Sequence, residues 1–96
     1  MKTYTLNGHK ISLSKEAYRN NGTLAIVANY TNGDYDVLTT NLGSLMQTKE
    51  LAFLDTNNHP GLEKFIEKNS LGVPTGFTER SGFCSYPLYL IHIDKL

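Results

Sequence analysis

What this chain has little of narrows the field before any motif is read. It carries a single cysteine, Cys84, so no internal disulfide and no cysteine-rich zinc site can form, and that thiol count suits a reducing compartment. Excess charge of either sign is missing too: nine Lys and Arg stand against nine Asp and Glu, which leaves no net field to draw nucleic acid or an anionic membrane from a distance. Any such binding would have to rest on a local patch. Apolar runs long enough for a signal peptide or a membrane span are absent, so a soluble cytoplasmic protein without membrane contact is expected. At 96 residues the chain reads as one domain, 1–96, of a size that buries about two thirds of its unfolded surface. It has no internal repeat and no low-complexity tract.

What is present is punctuation. Asn7-Gly8, Asn21-Gly22 and Asn32-Gly33 are dipeptides that accept the positive φ angles of type I′ hairpin turns. Tyr4 and Leu6 before the first, and Ile11 and Leu13 after it, alternate with polar residues, which predicts a hairpin over 3–13. Residues 14–20 have a helix-cap candidate in Ser14 but are too few for a helix, so a helical turn or loop is expected there. TLAIVANY and YDVLTT flank TNGD as a second hairpin, its first strand central. ELAFLD reads as a strand. After it, Pro60 suits a first helical turn capped by the Asn or His before it, and Leu62, Phe65 and Ile66 fall on one helical face opposite Glu63, Lys64, Glu67 and Lys68. Asn69 is the expected left-handed stop, with Leu71 closing over the last turn. SYPLYLIHI is apolar on both faces, as a buried strand is. The fold class expected is α+β: an antiparallel sheet of about five or six strands with one helix packed on one face. Leu24, Ile26, Phe65, Ile66, Leu88 and Leu90 are expected to share its core.

Between helix and last strand lies GVPTGFTERSGFCSYP. Read functionally, it is a ligand loop whose glycines let backbone amides approach an anion and whose Arg80 pairs with phosphate or carboxylate. Read structurally, it is a connection anchored by Phe77 and Phe83, with glycines where φ must be positive. Neither the Walker nor the Rossmann spacing is present, and residue chemistry favours the structural reading.

Enzyme chemistry finds no assembled set. Cys84 with His59 or His92, oriented by Asp55, would make a thiol–imidazole pair, but a lone cysteine among aromatics is more often a small core residue. The three histidines lack zinc spacing. Glu63 and Glu67 sit one turn apart among lysines, as on an ordinary solvated face. The tyrosines are not interleaved with basic residues as in a nucleic-acid platform.

The stretches LAIVANY…GDYDVLTTNL, AFLDTNN-P, FIEKNSLGVPTG and SGFCSYPLY resemble a family of small uncharacterised proteins, a domain of unknown function carried by Gram-positive gut bacteria and their phages, plasmids and conjugative elements. The resemblance runs from about residue 23 to the end. It implies a cytoplasmic accessory protein of mobile DNA with no catalytic residues to carry over. One departure is Asn69-Ser70, where glycine after the Asn would be the more usual helix stop. The function expected is therefore non-enzymatic: a protein-binding inhibitor of a host factor, such as a defence component countered in anti-CRISPR or anti-restriction fashion. Its partner is a host or element-encoded protein rather than nucleic acid, its state monomer or homodimer, and it needs no cofactor or metal. Its working surface combines Asn57, Asn58 and His59 of one turn with Thr75, Thr78, Arg80 and Ser81 of the other connection. The alternative is a small-ligand or nucleotide binder using loop 72–85; a third is a Cys84-dependent enzyme.

Overall fold

The computed structural model describes residues 2–96, and in the first third the chain turns at each Asn-Gly pair, although at the second and third only Gly22 and Gly33 take positive φ, not the Asn before them. Asn7 and Gly8 both take positive φ, 49° and 82°, the type I′ requirement, and join β1 (Tyr4–Leu6) to β2 (His9–Ala17). β2 runs further than the sequence led us to expect. Ser14 to Ala17 pair with Val27 to Leu24 of β3 (Leu24–Tyr30), so a ladder claims residues that are too few to close helical turns of their own. β3 is central, between β2 and β4 (Tyr35–Val37).

At Leu38 the chain changes sheet. Leu38 is fully buried; its N–H donates to Ile26 O at 2.8 Å and its carbonyl accepts from Asp55 N at 2.9 Å, so one residue is bonded to both layers. β5 (Thr39–Thr40) then pairs with β6 (Leu51–Leu54). The expected loop 72–85 is a hairpin instead: β7 (Gly72–Ser81) and β8 (Cys84–Ile91) pair antiparallel around a turn at Gly82 and Phe83. Gly82, at φ 62°, occupies the first turn position, where a type II′ hairpin wants glycine. Pro74 and Gly76 are accommodated because β7 is an edge strand with a bulge between Pro74 and Thr78, the setting in which a sheet tolerates both.

The class is thus α+β, but the single sheet of five or six strands is corrected to two four-stranded antiparallel sheets, β1-β2-β3-β4 and β5-β6-β8-β7. The α-helix of the described residues, α1 (Leu62–Lys68), buries Leu62, Phe65 and Ile66. They join a core that draws Leu6, Ile11, Leu24, Ile26 and Ala28 from the first sheet and Ala52, Leu54, Tyr89 and Ile91 from the second, so the helix does not simply cover one face of one sheet. Each such side chain contributes roughly 1.5–3 kcal/mol when buried, which holds a helix too short to persist alone.

Both helix ends differ from expectation. The N-cap is Gly61 at φ 79° with no side-chain cap, leaving Pro60 outside the helix. At the other end Asn69 is at φ −93°, and the left-handed residue is Ser70 at φ 55°. Leu71 N–H donates to Ile66 O at 2.9 Å and Ser70 N–H to Glu67 O at 3.1 Å, the paired bonds of a Schellman motif. Leu71 does close over the last turn, fully buried.

β8 is apolar on both faces, as expected, but the core takes its odd residues. Tyr89 and Ile91 point inward. Leu88 is buried outside the main cluster, and Leu90 is 38% exposed. Gly72 lets β7 start beneath the helix: a Cβ there would lie 2.7 Å from Leu90 O, closer than side-chain carbon atoms approach backbone oxygen, and 3.3 Å from Ile66 Cγ2, a tight contact.

Candidate functional site

The side of the second sheet that turns away from the common core is also apolar. Leu51, Leu90 and Val73 are successive cross-strand partners on β6, β8 and β7, and side chains directly opposite in a ladder share one face. Phe53 and Leu88, the next pair on that face, are buried. The β7 bulge supplies part of their cover. Gly76 turns the chain at φ 85°, and Phe77 folds back until its ring centroid lies 6.5 Å from that of Phe53. Thr75 pins the bulge: its hydroxyl donates to Leu88 O at 2.9 Å and accepts from Phe77 N–H at 3.1 Å. Val73 at 46%, Phe77 at 42% and Leu90 at 38% remain exposed, with Leu51 half-buried. The result is an apolar strip on a rigid sheet.

Beyond the strip, Tyr86 pairs with Glu79. Its phenol is raised above the ordinary tyrosine range by desolvation, then by the charge and hydrogen bond of Cys84, then by Asp55. Cys84 itself is half-buried opposite Ser81.

The sequence-selected residues fall into two groups. Thr75, Thr78, Arg80 and Ser81 all lie on β7; Thr78 faces Pro87, Arg80 faces Ser85 and Ser81 faces Cys84. Arg80 Nε donates to Gly82 O at 3.4 Å across its own turn. Asn57, Asn58 and His59 form the turn after β6. There Asn58 donates through N–H and Nδ2 to the Asp55 carboxylate at 3.3 and 2.9 Å, His59 N–H donates to Asp55 O at 3.1 Å, and His59 Nε2 lies 3.2 Å from Val37 O. β8 stands between β6 and β7. Thr75 works as the bulge pin, and the Asn-rich turn is tied to β4.

Three arrangements were hidden from a linear reading. The Gln47 side chain is buried and holds the 41–48 connection together: its Oε1 accepts from Leu42 N at 2.8 Å and Ser44 N at 3.3 Å, while Nε2 donates to Thr23 Oγ1 at 3.2 Å and Asn41 Oδ1 at 3.1 Å. Tyr89 passes under α1 and sets its hydroxyl 2.9 Å from Glu63 Oε1 and 3.0 Å from Glu67 Oε2, so the two carboxylates of the helix face share one buried phenol. Burial first, then these hydrogen bonds and charges, raise the Tyr89 phenol far above its ordinary range. His92 Nδ1 lies 3.0 Å from Ser70 O, just past the end of β8 opposite Cys84. Eight residues of strand, roughly 26 Å, separate that thiol and imidazole. Only the i, i+4 spacing of Glu63 and Glu67 was a signal available in the sequence. Among the described residues no cluster of His, Cys, Asp or Glu has a metal-holding arrangement, and no helix is long and apolar enough to cross a membrane.

Comparison with known proteins adds one match. The profile of the family described as "Domain of unknown function (DUF4313)" covers residues 12–96. No curated protein and no solved structure matches the chain.

Proposed function

The chain belongs to this family of domains of unknown function, whose match takes in most of its length, and from that premise we propose that it is a non-enzymatic protein-binding module. The observation that supports the reading is the strip of Leu51, Val73, Phe77 and Leu90 on the outer side of the second sheet. Contiguous exposed apolar side chains on a rigid scaffold are what interfaces are built around. Arg80, on the same edge hairpin, supplies a planar fork at the margin for a partner carboxylate. The biological setting in this proposal is a cytoplasmic accessory protein of mobile genetic elements in Gram-positive gut bacteria. There it occupies a surface of a host or element-encoded protein, such as a defence factor. The resemblance in the sequence motifs supports that setting. The alternative, a small-ligand or nucleotide binder using 72–85, would use the outer edge of β7 and its bulge rather than a loop.

The test compares the tagged wild-type chain with Val73→Asp, Leu90→Asp and Arg80→Ala. A partner identified by crosslinking in the native host is then titrated with each purified variant. Charge in the strip is expected to weaken that complex by more than 2 kcal/mol and Arg80→Ala by about 1–3 kcal/mol, with melting temperatures nearly unchanged. Equal affinity for the strip variants would remove this surface from the reading. A melting point that falls with Arg80→Ala while affinity holds would make Arg80 a structural residue.

A further inference from the structure

Among the described residues, the first sheet leaves an edge unpaired beside the helix. β1 ends that sheet, and between β1 and α1 runs an open groove of about 840 Å³, lined among others by Thr5, Lys10, Lys64, Phe65, Glu67 and Lys68. The hairpin closes on the pair Leu6 and His9, with Thr5 opposite Lys10 and Tyr4 opposite Ile11. A two-residue hairpin is closed by a pair that exchanges both backbone hydrogen bonds, and bonded pairs alternate with unbonded ones. Leu6 and Tyr4 therefore direct their backbone groups to β2, while the N–H and C=O of Thr5 face away from the sheet, toward the groove. A donor and an acceptor offered side by side match an added strand; a simple anion would use only donors.

The charges say which strand. Lys10 lies across the ladder from Thr5, and Lys64 and Lys68 stand one turn apart on α1, so three ammonium groups border the groove. The carboxylate in the same lining, Glu67, is held by the Tyr89 hydroxyl at 3.0 Å. The floor is apolar: Phe65 packs edge-on against Tyr4 at 6.0 Å between centroids. Asn7 Nδ2 donates to Pro60 O at 3.2 Å and ties the hairpin turn to the segment that enters the helix. We propose that this groove takes an extended acidic segment of a partner protein, added as a strand to the free edge of β1, with carboxylates toward Lys64 and Lys68 on the helix side or toward Lys10 on the other face. It uses none of the residues of the second-sheet strip, so the two surfaces are tested separately.

The probe is a short fluorescein-labelled peptide alternating valine and glutamate, followed by anisotropy at low and physiological ionic strength. Thr5→Pro is the informative variant, because an edge strand tolerates proline where the lost N–H makes no ladder bond. Binding to the wild-type chain is expected to weaken about tenfold or more in Thr5→Pro, and by a similar factor in Lys64→Glu with Lys68→Glu, with strong salt dependence in the wild type. Should Thr5→Pro melt early, the same peptide N-methylated at alternate residues replaces it against wild-type protein, and loss of binding supports the added strand. Unchanged binding of the N-methylated peptide, or of a folded Thr5→Pro variant, overturns it. So does the absence of wild-type binding, equal affinity for a valine–lysine peptide or a single-stranded oligonucleotide, or a concentration-dependent dimer that excludes the peptide.

Discussion

Ser70 holds a backbone conformation, φ 55°, that L side chains pay for in steric contact and glycine does not. It occupies the left-handed position of a Schellman motif whose two hydrogen bonds are in place, so the position wants glycine although the chain has serine. Ser70→Gly is expected to stabilise the fold by about 0.5–1 kcal/mol, read as a higher denaturation midpoint; a lower one would mean that the serine side chain outweighs the backbone cost. Tyr89 makes a second prediction at this scale. Its phenol is raised above 10.0 by burial, then by hydrogen bonds to Glu63 and Glu67 and by their charges. The folded state thus holds that proton more tightly than the unfolded chain. The contribution to stability is fully present below about pH 10 and fades as pH rises beyond it. Tyr89→Phe is expected to cost about 1–2 kcal/mol near neutrality and to flatten the alkaline fall in stability. Tyr18 and Tyr30, also raised, leave part of that slope in place. Parallel wild-type and Phe curves above pH 10 would remove Tyr89 from the alkaline response.

At the scale of the element, α1 is the clearest case of a segment stabilised from outside. Seven residues with no side-chain N-cap cannot support a helix in isolation, so its existence depends on Leu62, Phe65 and Ile66 beneath it. Phe65→Ala is expected to cost about 3–5 kcal/mol and to lower helical circular dichroism with the melt. An unchanged melting point would mean that the helix is held by something other than its apolar face. The β7–β8 hairpin shows the opposite balance. Its glycines and prolines look like breakers one at a time, yet a bulge, an edge position and a two-residue turn each use them. Residues 72–87 look like a loop in the sequence because the bulge between Pro74 and Thr78 breaks the period of two on which strand recognition rests.

For the whole molecule, Leu38 is the junction. It bonds Ile26 in one layer and Asp55 after the other, and a single core cluster spans both sheets and the helix. Leu38→Ala is expected to cost about 2–5 kcal/mol while the chain continues to unfold in one step, with far-UV circular dichroism and tyrosine fluorescence giving the same midpoint in urea. Two separated transitions would show that the sheets are independent units.

Local chemistry alone determined the hairpin at Asn7-Gly8, the central strand 24–30, the strand at 51–54 and the buried face of α1, because each depends on a short period or on the φ preference of a few adjacent residues. It also marked Asn69-Ser70 as an unusual helix end, and the backbone there carries the matching strain. Tertiary structure decided the rest. Which face of β8 enters the core could not follow from a segment apolar on both; the pairing with β6 and β7 and the approach of the helix over Gly72 chose Tyr89 and Ile91. The split into two sheets at Leu38 depends on hydrogen bonds to Ile26 and Asp55, partners 12 and 17 positions away. The exposed strip and the groove beside β1 arise the same way. Val73, Leu90 and Leu51, like Thr5, Lys64 and Lys68, are distant in the chain, and only strand register and helix docking make them neighbours.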